Sequence, residues 1–299
     1  MRLLFVKEGA AIWSSHLDLM RALMRSFRRA GIELKHSQGF TPHPELSILM
    51  PLSVGVESQC EIAEFTLAEG CAIPAAEIAK RMNPVLPAGI RALESWEGGQ
   101  KAGKLAWLRA RLTLTYEATG NRQQATGDGG CGLPRAVPAA EASGDASLRC
   151  EALRALFARP SLVVEKHGKK GPTELDIAPM IRELTVSSAG SDPLIAPVLA
   201  AGNDAVPAAE ASGDASLRRK VAGGEAAGTA AEASGDASLR HESAGQNAVV
   251  IEAVVAAQNP TLNPLLLVTA IETWLPQYKP DQVQCRRLEI YDAEGKPFR

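Results

Sequence analysis

Three groups of side chains in this sequence have the types and spacing that chemistry requires. The first is His16, His36 and His43. Ser15 stands immediately before His16 at the start of a helical pattern. Free N–H groups at a helix N-terminus favour anions, so an imidazole placed there can serve as base or ligand. His16 and His43 are therefore candidates for acid–base work, and His16 equally suits capping or packing. No Cys or carboxylate stands at metal-ligand spacing from the three histidines, so no metal is expected.

The second group is Arg21, Arg25, Arg28 and Arg29, followed by Lys35 and His36. Helical spacing gathers the arginines on one side, and no acidic residue lies between positions 19 and 32. Such a face can track phosphates. It also suits a solvated helix surface in which Asp18 pairs with Arg21 or Arg25.

The third is the run Ser37-Gln38-Gly39-Phe40-Thr41-Pro42-His43-Pro44-Glu45. Pro42 and Pro44 fix φ, donate no N–H and push the residues before them towards extended geometry. The run is a stiffened loop presenting Gln38, Phe40 and His43, and function concentrates on loops of this kind. Phe40 can stack a base or grip a peptide. It can equally fold back as a core plug, with Gly39 supplying the turn.

Other candidates carry less. Glu57, Glu61 and Glu64 show no partner constellation for acid–base work. The turn Lys166-His167-Gly168-Lys169-Lys170 can touch phosphate or simply be solvated. There is no phosphate-binding P-loop, no G-x-S-x-G and no G-x-G-x-x-G. No C-x₃-C-x₂-C exists to hold an iron–sulfur cluster.

The elements that must position these residues read as follows. Arg2–Lys7 is a strand. Ser15 caps a helix with Asp18 at its third position. Leu17, Met20, Leu23, Met24 and Phe27 form its apolar stripe, and Gly31 ends it. Glu33–His36 and Leu46–Met50 flank the Pro-rich loop as extended segments. Cys60–Leu67 alternates, Pro74–Met82 is a helix, and Gly89–Trp96 is a closing strand. That order is βαββαβ, the ferredoxin-like arrangement. Leu105–Tyr116, Cys150–Phe157, Ser161–Lys166, Glu174–Ile177, Ile181–Ser187, Val249–Ala256, Leu262–Leu275 and Val283–Tyr291 read as a second set.

The expected class is α+β, with tandem ferredoxin-like domains at 1–100 and 104–292. Within the second, the segment 136–149 recurs at 205–218, and its last part recurs at 230–240. The spacings differ, so the copies do not stack as a solenoid. Rich in Ala, Ser, Gly and Glu, the stretches at about 120–147 and 188–247 read as disordered insertions.

The 299 residues carry a net charge of −2, so no global field draws nucleic acid or anionic membrane. Five scattered cysteines without metal or redox spacing fit reduced thiols. No apolar run approaches a membrane span or signal peptide. A cytoplasmic location and no membrane partner are expected.

The segments Ser14–Leu23, Arg28–Gly31, Ser37–Pro44 and Pro51–Ser58 closely resemble the radical SAM-linked family. This is a bacterial domain of unknown function, encoded beside a radical SAM protein or fused to it. The resemblance is specific over residues 1–67. It is looser to about 100, at Glu174–Ile181 and at Cys285–Tyr291, and the repeats lie outside it. It implies a radical SAM protein as partner, with the iron–sulfur cluster and S-adenosylmethionine on that partner and no cofactor in this chain. The tandem arrangement is also similar, at the level of fold, to CRISPR repeat-cleaving endoribonucleases. The expected function is an accessory or binding protein that recognises the radical SAM enzyme or its substrate, with RNA as a candidate. The candidate contact residues are Arg21, Arg25, Arg28, Arg29, Ser37, Gln38, Gly39, Phe40, Pro42 and His43. The alternatives are an RNA-processing protein using His16 or His43, and a scaffold whose loop only packs the two domains together.

Overall fold

The computed structural model describes residues 1–117, 139–168, 171–188, 247–258 and 260–299. The strands are β1 (Arg2–Lys7), β2 (Leu46–Ile48), β3 (Val56–Phe65), β4 (Ile90–Trp96), β5 (Leu105–Thr115), β6 (Val163–Gly168), β7 (Gly171–Asp176), β8 (Ile181–Ser188), β9 (Ala248–Ala256) and β10 (Gln282–Asp292). The helices are α1 (His16–Arg29), α2 (Ala75–Met82), α3 (Ala139–Phe157) and α4 (Leu266–Trp274). One large mixed sheet runs β4-β1-β3-β10-β5-β9-β8, with β2 paired to β3, and β6-β7 forms a separate hairpin. Among the described residues, no helix is long and apolar enough to cross a membrane.

α1 starts where the capping pattern predicts. Ser15 is the N-cap, and its Oγ accepts from the Asp18 backbone N–H at 3.2 Å. Gly31, at φ 69°, supplies the left-handed residue that ends the helix. The buried stripe is Leu19, Leu23, Ser26 and Phe27, with Met20 partly buried. Leu17, expected in that stripe, is exposed instead. Helical geometry puts Leu19, not Leu17, in line with Leu23 and Phe27.

The segment expected as a strand at Glu33–His36 makes only isolated bridges, Leu34 to Leu67 and His36 to Pro44. Helix α3 begins at Ala139, so part of the stretch expected as a disordered insertion, 139–147, is helical. The rest of the expected insertions, and Lys169-Lys170 of the basic turn, lie outside the described residues.

Within the large sheet, β4-β1-β3-β2 are all antiparallel neighbours. The same order recurs as β10-β5-β9-β8, again antiparallel. The two sets meet where β3 and β10 run parallel, Val56 opposite Cys285 and Ser58 opposite Arg287. The described residues within 1–191 and 245–299 belong to one compact unit.

Register sorts the faces. Val56, Cys285, Leu112, Ile251 and Val186 are cross-strand neighbours over five strands, and all are buried. The adjacent row, Glu57, Arg286, Arg111, Glu252 and Thr185, points to the other face and is open to solvent to varying degrees. Two apolar cores result. Leu3, Phe5, Ala63 and Phe65 pack with α1 and α2. Leu4, Ile62, Leu108, Leu112 and Ile251 pack with α3 and α4.

Candidate functional site

The Pro-rich loop is a tongue closed at its base. Ser37 N–H donates to the His43 carbonyl at 2.9 Å, and the His43 N–H donates to Ser37 Oγ at 3.2 Å. Ser37 Oγ also lies 2.8 Å from His43 Nδ1. One step further in, Glu45 N–H donates to the Lys35 carbonyl, and the two side chains pair at 3.9 Å. Beyond this clasp Gln38, Gly39, Phe40, Thr41 and Pro42 are all exposed. Gly39 takes φ 151°, a conformation that favours glycine, and open space surrounds it. Phe40 does not fold back as a core plug; it stands fully exposed at the tip. His43 is committed through Nδ1 to the clasp.

His43 also borders a shallow cleft of about 480 Å³. Arg2, Glu45, Ser47 and Glu64 line it with the N-terminal residue. Arg2 is nearly buried, donates to Glu64 at 2.6 Å, and lies 5.0 Å from the Phe298 ring centre.

On α1, Arg21 pairs with Asp18 at 3.3 Å. Hydrogen bonding from Ser15, then the nearby Arg21, holds the Asp18 carboxyl below its ordinary range. Arg25, Arg28 and Arg29 are exposed, and none makes a side-chain hydrogen bond or ion pair among the described residues. His16 occupies the first turn, with its Nδ1 enclosed and without a hydrogen-bond partner among the described residues. His36 Nδ1 lies 3.0 Å from the Leu34 carbonyl. His36 and His43 are thus engaged separately. Among the described residues, no three His, Cys, Asp or Glu side chains gather as a metal site.

Sequence reasoning missed a buried charge cluster beside the entry to α1. Lys7 Nζ donates to the carbonyls of Ile12 (3.1 Å) and Ser14 (3.0 Å), fixing the chain just before the Ser15 cap. Burial lowers the Lys7 pKa; the Glu61 carboxylate opposes that shift and Arg287 adds to it. Glu61 pairs with Arg287 at 3.3 Å, and Arg287 also donates to the Pro51 carbonyl at 2.7 Å. Glu57, Glu61 and Glu64 each have an arginine from another strand: Glu57 with Arg286, Glu61 with Arg287 and Glu64 with Arg2. They stand as ion pairs between strands. The missed signal was parity. Glu61 shares its strand face with Ala63 and Phe65, so it faces inward, and an inward carboxylate requires a cation. Burial raises the neighbouring Cys60 thiol far above its ordinary value and pushes Cys285 up to about 12.

The segments 12–18, 51–58 and 285–287 therefore converge on one place. A family model described as an uncharacterized protein conserved in bacteria (DUF2344) matches residues 1–206. The chain belongs to that family. The DUF2344 match takes in the tongue, α1, Lys7 and the carboxylates of β3. No curated protein matches the chain.

Proposed function

We propose that this DUF2344 protein is an accessory binding protein of a radical SAM enzyme system. The surface formed by α1 and the tongue 37–45 recognises the partner enzyme or its substrate, for which RNA is a candidate. The cluster and S-adenosylmethionine reside on the partner. The partner's identity rests on the resemblance of Ser14–Leu23, Ser37–Pro44 and Pro51–Ser58 to the radical SAM-linked family. One observation carries the binding role: Phe40 is wholly exposed at the tip of a stiffened, clasped loop. Holding a large apolar ring in water is unfavourable, and a side chain held there by prolines and a clasp is preorganised for a contact. Burial of Phe40 and His43 between the halves would favour the scaffold alternative, and both are exposed. The ferredoxin-like reading of each half belongs to this proposal, supported by the repeated strand order β4-β1-β3-β2 and β10-β5-β9-β8.

The test is anaerobic purification of the tagged full chain from its source cells. Recovery of an iron–sulfur radical SAM protein, weakened by Phe40→Ser, is the expected result. Recovery of none sinks the proposal.

The cleft beside His43 favours a second reading, metal-independent RNA processing. Its imidazole, two carboxylates and Arg2 surround a space large enough for a nucleotide-sized group. Incubation with cellular RNA decides. Equal integrity of RNA after exposure to wild type and to a His16→Ala, His43→Ala variant excludes it.

A further inference from the structure

The entry to α1 carries an apolar patch that the tongue does not share. Trp13 is 70% exposed, Leu17 63% and Val54 52%. The chain brings Trp13 and Val54 together: Gly55 N–H donates to the Ile12 carbonyl at 2.8 Å, and the Trp13 ring sits against Gly55. Gly55 holds φ 81°, a left-handed conformation, and keeps this corner tight. Leu17 follows on the first turn of the helix. Large apolar side chains grouped on a surface mark interaction sites.

Leu17 also heads a stripe. Leu17, Arg21, Arg25 and Arg28 recur at intervals of four, four and three, and all four are exposed. The stripe runs about 17 Å along the helix. Its head is apolar and its body cationic, and Arg25 and Arg28 have no acidic partner among the described residues.

We infer that this stripe docks an acidic amphipathic segment of the partner polypeptide. Apolar side chains of that segment cover Trp13, Leu17 and Val54, and its carboxylates, at helical spacing, meet Arg21, Arg25 and Arg28. This rests on the binding role proposed above and chooses between its two occupants. RNA would use the arginines and stack on Trp13, but it gains little from aliphatic Leu17 and Val54. A polypeptide uses all of them. Aromatic and arginine side chains at the centre of a patch are also the usual anchors of protein interfaces. The charges set orientation and association rate, and the apolar head supplies the desolvated contact.

The test uses the full chain with the photo-crosslinker p-benzoylphenylalanine at position 17, illuminated in its source cells. The crosslinked peptide is then sequenced. The inference expects one polypeptide, joined through a segment bearing Asp or Glu at three- or four-residue intervals beside an apolar residue. A synthetic copy of that segment should bind wild type at least tenfold more tightly than an Arg25→Glu, Arg28→Glu variant, and less tightly as salt rises. Crosslinks to RNA, to a basic or uncharged segment, or to nothing overturn it. If wild type and the variants Leu17→Ser and Arg25→Glu, Arg28→Glu all recover the radical SAM protein equally, the docking inference fails and the accessory role stands. If wild type recovers none, the accessory role fails as well. Circular dichroism melts confirm that these surface variants stay folded.

Discussion

Arg287 of β10 reaches Glu61 of β3 at 3.3 Å, and both side chains are almost wholly withdrawn from water, at 9% and 2% exposure. With Lys7 close by, this pair forms the charged seam between the two halves of the sheet. The Glu61 carboxylate pairs with Arg287 and acts on Lys7 through its charge, and among the described residues Arg287 Nε and Glu61 Oε2 have no hydrogen-bond partner. Removing Glu61 would strand Arg287 and Lys7 inside. Glu61→Ala should cost about 3–5 kcal/mol in chemical denaturation. The paired replacement Glu61→Leu, Arg287→Leu should cost clearly less than the sum of the single changes. Additive losses would show that the two charges do not act as a unit.

Glu252 gives a prediction in pH. Burial alone would raise its pKa, but hydrogen bonds from Arg109 and Arg111 together outweigh this and hold it below its ordinary 4.5. The folded carboxyl therefore loses its charge at lower pH than the unfolded one. Its contribution to stability is full above about 4.5 and is lost as pH falls through the depressed value. A Glu252→Gln variant should show a shallower acid limb than wild type below pH 4.5, measured by urea midpoints. Parallel limbs would refute the assignment.

The thiols should divide by burial. Cys60, Cys150 and Cys285 are buried, and Cys71 is only partly so. In a Cys131→Ser background, iodoacetamide at pH 8 should label Cys71 in the native protein and reach the other three only after unfolding. Cys60 and Cys285 also predict a loss of stability above pH 9.0. Their folded pKa values are raised, so the unfolded state ionises first as pH rises.

Much of this was legible beforehand, for stated reasons. The Ser15 cap, the Gly31 stop and the stiffened Pro-rich loop follow from local chemistry, which a sequence displays directly. Strands such as β5 followed from alternation, whereas Glu33–His36 makes only isolated bridges. The exposure of Leu17 was misread because a helix stripe can be drawn through Leu17 or through Leu19, and only the sheet beneath decides. The pairing of Glu57, Glu61 and Glu64 with Arg286, Arg287 and Arg2 was invisible for another reason. Two of the arginines come from β10, more than two hundred residues away, and no local pattern encodes a seam between distant strands.

Two glycines should respond differently to alanine. At Gly31 an added Cβ meets nothing within 4 Å, so only the left-handed backbone is strained, at a cost of roughly 1–2 kcal/mol. At Gly89 (φ 82°) the same Cβ strikes the Glu8 carbonyl oxygen and lies 2.9 Å from the Ala11 side chain. Glu8 N–H donates to the Gly89 carbonyl, so the backbone cannot retreat without losing a hydrogen bond. Gly89→Ala should lower the thermal midpoint well beyond Gly31→Ala. Equal shifts would mean that the β1–β4 corner yields.

The position of β10 has a consequence for how the molecule assembles. The last of the described strands, at residues 282–292, lies in the middle of the sheet, between β3 and β5. During synthesis the ribosome releases β3 and β5 long before the strand that joins them exists. Until it arrives, both present unpaired backbone along an edge that becomes interior, the kind of edge that recruits other chains. Its contacts also span most of the sequence, and such contacts form slowly. A nascent chain stalled before residue 282 is the species on which a chaperone would act, and a premature stop there would yield an aggregating product, not a shortened functional one.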